Sequence, residues 1–273
     1  MNWFRRLTHQ PAIMATARAL GLARLLKHAY YGIVSDPEGV FRTKLGGVSV
    51  SFYASNPSEW RMLEGLEAGK QECFIGILAR ELKPGDVFYD VGSNIGEYAV
   101  LAGKLVHPGG MVVAFEPEPS SFECLQTNLT LNELRNVRTY PVALGACAHR
   151  GTLVVGGSRH THSRLWESSD DIRVEGSERL VDVVTGDELS EAEHLKSPTV
   201  VKVDVEGHEY AVLRGLQHSL SRVDCRLLCC EIHPTLLPPG IAVENVLQQI
   251  QALDFRKQDH VARGSQIHVI AYR

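Results

Sequence analysis

The stretch from Val87 to Gly96, VFYDVGSNIG, constrains the fold more than any other part of the chain. It reads as a buried strand, then a tight glycine turn that runs into the helical composition of Glu97 to Ala102. Lys83-Pro84-Gly85-Asp86 punctuates the chain just before it. Such a junction belongs at the carboxyl end of a parallel strand, where open α/β sheets bind ligands against unpaired backbone N–H groups. Gly92 and Gly96 carry no Cβ, so a ligand is expected to lie against the main chain there.

The following segments repeat the rhythm. Strands are predicted at Met111–Glu116, Val137–Leu144, Thr199–Val205 and Arg226–Ile232, and a terminal hairpin from Phe255–Lys257 and Gln266–Tyr272. Helices are predicted over 96–106, from Pro117–Ser121 onward, from near Glu206-Gly207, and over 243–253. Apolar strands alternating with helices at short spacing imply a parallel sheet covered on both faces. Residues 145–199 break the pattern. Gly151–Val155 and Arg179–Val184 look like added strands around a polar segment, 156–176, that contains His160, His162, Ser163, Arg164 and Trp166.

Upstream, Val40–Ser55 has a hairpin pattern broken at Gly46-Gly47, and Ser58–Leu82 reads as helix. The first 35 residues carry Arg5, Arg6, Arg18, Arg24 and Lys27 beside a leucine and tyrosine face, with no acid before Asp36. The division expected is an N-terminal helical and hairpin extension, 1–57, and a domain over 58–273. The basic helix packs on that domain or on a twin subunit in a homodimer, or makes a peripheral membrane contact through residues 1–30.

With 44% hydrophobic and 22% charged residues the chain can bury a core without staples. A net charge of −4 gives no footing for nucleic acid. The six cysteines form no C-x-x-C pair, which suits reduced thiols in a cytoplasmic protein. No run reaches the length of a membrane span, and charges interrupt any apolar leader.

The turn Gly92-Ser93-Asn94-Ile95-Gly96 has Asn94 where a dinucleotide fingerprint needs its middle glycine, and no third glycine follows. No Gly-Lys-Ser/Thr makes a phosphate loop. The second strand ends in Glu116, whose carboxylate can accept from both hydroxyls of a ribose. Those residues indicate an adenosine-bearing ligand, and leave a nicotinamide dinucleotide of an oxidoreductase and S-adenosylmethionine both open.

Asp90–Gly96, then Phe115-Glu116-Pro117, Asn128 and Asn132, and Lys202-Val203-Asp204-Val205-Glu206-Gly207-His208-Glu209 with Val212-Leu213 and Gly215 together resemble the FkbM-type methyltransferases. The resemblance spans about residues 70–235. Thr185-Gly186-Asp187-Glu188-Leu189 is similar to a further T-L-D-x-L element, with glycine in place of leucine. It implies a Rossmann-like seven-stranded, mostly parallel class I methyltransferase sheet with its last strand antiparallel. It also implies S-adenosylmethionine as donor and a small-molecule acceptor, a hydroxyl of a sugar, glycolipid or related metabolite. Carried over by position, Asp90, Gly92, Ser93, Asn94 and Gly96 would line the donor, Glu116 would hold its ribose and Pro117 would shape the adjoining turn.

Transfer of a methyl group to oxygen needs alignment of the acceptor and removal of its proton. Asp204 ends the fourth strand, and Glu206 follows on the turn. Glu231 and His233 end the fifth strand and, two residues apart, point the same way. Asp204, Glu206, Glu231 and His233 are therefore the expected catalytic group, as a proton relay or as an oxygen/nitrogen metal site. His208 is an alternative base, read as an exposed residue at the helix start, and Glu209 is read as a helix cap. His160 and His162 are assigned to the acceptor side or solvent. A donor-binding homologue without catalysis stays open beside these readings.

Overall fold

The computed structural model describes residues 39–54, 63, 72–156, 163–166 and 176–273. The basic extension, most of the 58–82 helix, and His160 and His162 lie outside the described residues. No helix among the described residues is long and apolar enough to cross a membrane.

The central sheet contains seven strands: β3 (Val87–Val91), β4 (Met111–Phe115), β5 (Val137–Tyr140), β10 (Val200–Val203), β11 (Leu227–Ile232), β12 (Lys257–Arg263) and β13 (Gln266–Tyr272). Their order is β12-β13-β11-β10-β3-β4-β5. The five strands from β11 to β5 pair in parallel, and β13 runs antiparallel to both of its neighbours. This is the Rossmann-like architecture expected of class I methyltransferases. It forms because these strands are apolar on both faces. Phe88, Val112 and Val200 face one core with Phe74, Leu78 and Val100. Tyr89, Val91, Val113 and Val201 face the other with Leu213, Leu216 and Val246. The helices between are α1 (Glu72–Glu81), α2 (Glu97–Leu105), α3 (Pro119–Leu131), α4 (Gly186–Ala192), α5 (Glu209–Gly215), α6 (Gln217–Ser221) and α7 (Val243–Ala252).

Two expectations are corrected. The strand predicted over 137–144 is broken. β5 stops at Tyr140, Pro141 has no N–H to continue the ladder, and β6 (Ala143–Leu144) joins a separate sheet. That sheet also contains β7 (His149–Gly156), β8 (Ser163–Trp166) and β9 (Gly176–Val184), in the order β6-β9-β7-β8. β6, β7, β8 and β9 thus form a second sheet, whose Leu153 and Leu165 line the cavity at the carboxyl ends of the first. The helix after β10 begins at Glu209, because Glu206 (φ 51°) and Gly207 (φ 98°) both take left-handed backbone.

The hairpin β1 (Val40–Leu45) and β2 (Val48–Tyr53) turns at Gly46-Gly47 as its pattern predicts. Phe41, Leu45, Val50 and Phe52 share the core cluster of α2 and α3. Asn128 and Asn132 of α3 dock it. Asn128 Oδ1 accepts from Tyr53 N–H (2.6 Å) while its Nδ2 donates to the Ile95 carbonyl (2.7 Å). Asn132 pairs both ways with the Ser51 backbone. The element at Thr185 is also structural: its hydroxyl caps α4 and Asp187 caps α6, while Gly186 leaves room for Leu216.

Candidate active site

Sheet register creates the site. Val91 pairs with both Phe115 and Val203, and Val203 with Cys230. The next residue on each strand, Gly92, Glu116, Asp204 and Glu231, therefore emerges along one edge. A cavity of about 730 Å³ opens there. Gly92, Asn94, Glu116 and Pro117 line one part of it, and Asp204, Glu206 and Glu231 another. Asp90, Ser93 and Gly96 stand behind that wall instead. Asp90 is fully buried, and Ser93 Oγ donates to its carbonyl (2.7 Å).

The two turn glycines also answer to close packing of the protein itself. A Cβ on Gly92 would lie 1.9 Å from the Asp204 carbonyl oxygen, and one on Gly96 would lie 2.6 Å from Leu125 Cδ1. Their missing side chains make room for protein, and both have positive φ. Asn94 takes left-handed backbone between them (φ 51°) and donates its N–H to Glu116 Oε2 (2.8 Å). Glu116 Oε1 accepts from Glu118 N–H (2.9 Å). Burial, only partly offset by those two N–H groups, pushes Glu116 up to about 7. Burial does the same to Glu97, which also lines the cavity and reaches about 7 despite the nearby Lys202.

Lys202 organises the floor. It is 1% exposed, with Nζ 3.3 Å from Asp90 Oδ1 and 3.8 Å from Asp204 Oδ2. It donates to the Gly92 carbonyl (2.6 Å) and faces the Tyr98 ring at 5.1 Å. Burial works against its charge, but Asp90 and Asp204 raise its pKa above the ordinary lysine value. For Asp204 burial dominates and, with Glu231 adding to it, outweighs Lys202, leaving the carboxyl at about 7.

The fourth- and fifth-strand acids do meet His233. Its Nε2 stands 3.5 Å from Glu206 Oε2, 3.7 Å from Glu231 Oε1 and 3.8 Å from Asp204 Oδ1. Glu209 is no helix cap. It is fully buried, and its Oε1 holds His233 Nδ1 at 2.7 Å and accepts from Gly207 N–H at 2.9 Å. Burial opposes charge on His233, yet Glu209 and Asp204 raise it to about 9. His268 of β13 sits 3.0 Å from Glu231 Oε2 and keeps that carboxyl below its ordinary range despite burial. His208 is 5% exposed, not the surface residue expected.

Glu209 was read only as a helix cap, and nothing in the sequence pattern pointed to Glu97 or His268. The same holds for the hairpin tip between β12 and β13, where Ala262, Arg263, Gly264 and Gln266 line the cavity. Leu153 and Leu165 of the second sheet line it too. The 234–242 loop supports the turn after β10, where the Leu236 carbonyl packs in the space that a Gly207 Cβ would fill.

The family model for the methyltransferase FkbM domain matches residues 90–257. The chain belongs to the FkbM methyltransferase family. It is 32% identical over 200 residues to hexuronic acid methyltransferase AglP of Haloferax volcanii, covering 72% of this chain and 76% of that one. It is 28% identical over 227 residues to 31-O-demethyl-FK506 methyltransferase FkbM of Streptomyces tacrolimicus, covering 71% and 82%. Among solved structures, an S-adenosylmethionine-dependent methyltransferase from Aquifex aeolicus aligns with a TM-score of 0.43 at 15% identity, over 80% of this chain and 97% of that one. As an FkbM methyltransferase the chain uses S-adenosylmethionine, and the oxidoreductase alternative falls. The residues present fit that donor. The cavity is of nucleoside size and its wall is rich in carboxylates suited to hydroxyl donors and a cationic sulfur. Glu116, pinned through one N–H on each oxygen, keeps lone pairs for a ribose.

Proposed function

We propose that this FkbM methyltransferase methylates a hydroxyl oxygen of a sugar or glycolipid, with an acidic sugar as the favoured acceptor. The observation that carries the reading is the shared register that sets the Asp204, Glu206 and Glu231 carboxylates across one cavity from the glycine turn and Glu116. When bound, S-adenosylmethionine supplies an electrophilic methyl group on a cationic sulfur. Glu116 accepts from the donor's ribose hydroxyls, and Gly92 and Asn94 bound it from below. Asp204 takes the proton from the acceptor hydroxyl, and His233, steadied by Glu209, holds the cluster in place. Leu153 and Leu165 exclude water from above. Arg263 on the cavity wall is a cation suited to an acceptor carboxylate, which accords with the hexuronic acid in the name of the Haloferax relative.

The test is transfer of isotopically labelled methyl from S-adenosylmethionine to uronic-acid-bearing and neutral glycans. The expected product is an alkali-stable methyl ether, formed faster on the acidic acceptor. Label in an alkali-labile ester, or on nitrogen, would overturn the hydroxyl assignment. Donor binding with no transfer to any acceptor pool would favour the non-catalytic alternative.

The Glu116 role has its own signature. Glu116→Gln is expected to weaken binding of the demethylated donor product by about 1–3 kcal/mol. The pKa is raised in the folded chain, so the carboxyl is protonated below about 7 and charged above it. Only the charged form accepts from two hydroxyls. Wild-type affinity should therefore climb as pH rises through about 7, relative to the Gln variant, in calorimetry from pH 6 to 8. Parallel pH profiles for the two proteins would refute the assignment.

A further inference from the structure

We propose that Asp204, Glu206 and His233 bind one divalent cation of the kind that takes both oxygen and nitrogen ligands. The proposal deepens the acceptor reading above and rests on it for its purpose, though not for its test. Each of the three residues offers one ligand atom, and these atoms lie within 4.8 Å of one another.

The imidazole is set up for this role. His233 is 3% exposed, and its Nδ1 is engaged by the fully buried Glu209 at 2.7 Å. Carboxylate backing of this kind is how proteins orient a metal-binding histidine and fix its tautomer. The contact turns Nε2 into the cluster, where it is buried and makes no hydrogen bond with any described residue. Glu206, Glu231 and Asp204 stand around it at 3.5, 3.7 and 3.8 Å. Neighbouring ligands that share an ion at about 2.0–2.2 Å stand roughly 3.0–3.5 Å apart. In the cluster Nε2 stands 3.5–3.8 Å from three carboxylates, at or just outside that spacing, and is closed on none.

The donor set narrows the ion. Ca²⁺ takes oxygen ligands alone, whereas an imidazole with two carboxylates suits Mn²⁺, Fe²⁺ or Zn²⁺. The side chains of Asp204 and Glu206 are 29% and 20% exposed towards the cavity, so coordination positions would face an acceptor oxygen. An ion there lowers the pKa of a hydroxyl bound to it. Asp204 would contribute Oδ1, and its Oδ2, 3.8 Å from Lys202 Nζ, stays able to take the acceptor's proton.

Mn²⁺ titrated into the chelator-treated full chain, followed by electron paramagnetic resonance, tests the site. The expected result is one saturable site per chain, with coupling to an imidazole nitrogen in pulsed spectra. Glu206→Gln should weaken it at least tenfold, and His233→Gln should abolish the nitrogen coupling. Absence of saturable binding, or binding without nitrogen coupling in the wild type, would overturn the proposal whatever the variants do. Calorimetry with the demethylated donor product, run on the same samples, separates the two readings. Donor product bound without Mn²⁺ sinks the metal site alone, and loss of both sinks the donor cavity as well.

Discussion

Lys202→Met is expected to lower the unfolding free energy by about 3–5 kcal/mol, the usual cost of removing one partner from a buried ion pair. Methionine keeps much of the side-chain length, so packing alone contributes little of the loss. The damage comes from what Lys202 leaves behind. Asp90 is fully buried and has Lys202 Nζ at 3.3 Å as its cation. The Gly92 carbonyl loses a 2.6 Å donor at the turn that lines the cavity. Urea unfolding should show a lower midpoint with an unchanged slope, and the melting temperature should fall by about 10 °C for a domain of this size. The double variant Asp90→Asn/Lys202→Met should recover part of the loss, because the stranded carboxylate is gone. A loss below about 1 kcal/mol would mean that the pair is not held together by charge.

Asp204→Asn is expected to reduce kcat by 10²- to 10⁴-fold, the range typical of a lost general base. Affinity for the demethylated donor product should stay within about threefold if, as proposed, Asp204 works on the acceptor. The amide keeps the shape and still accepts at one oxygen, but it cannot take a proton. The split between kcat and donor affinity is the informative quantity. An unchanged kcat would shift the proton-accepting role to His233. An equal collapse of donor affinity would instead make Asp204 a donor-holding residue.

Much of this was legible from the residues, for definite reasons. Strands buried on both faces of a parallel sheet read as unbroken apolar runs, so β3, β4, β10 and β11 stood out. The residues that end them, Glu116, Asp204 and Glu231, followed at once, because strand ends in such sheets face one edge. Pro141 was a visible signal that the 137–144 strand must break, and the apolar alternation on either side masked it. Lys202 was also readable in retrospect. A lysine inside Val200-Val201-Lys202-Val203 must be paired if that strand is buried on both faces. Glu209 meeting His233 could not be read. The two lie on different elements and meet only because α5 packs against β11. Arg263 was equally silent, since only the length and twist of a hairpin bring its tip back over the cavity.

Asn128 joins the β1–β2 hairpin to the glycine turn through a single side chain. The turn that lines the cavity is therefore braced from a segment some forty residues upstream of it. A shortened chain beginning at residue 58 would keep every residue of the matched family region, 90–257. It would nevertheless strip one core face of Phe41, Leu45 and Phe52 and leave the Ile95 carbonyl held by a side chain that has lost its own tether. In engineering terms, the hairpin is part of the cavity's foundation, and a shortened chain should begin upstream of it.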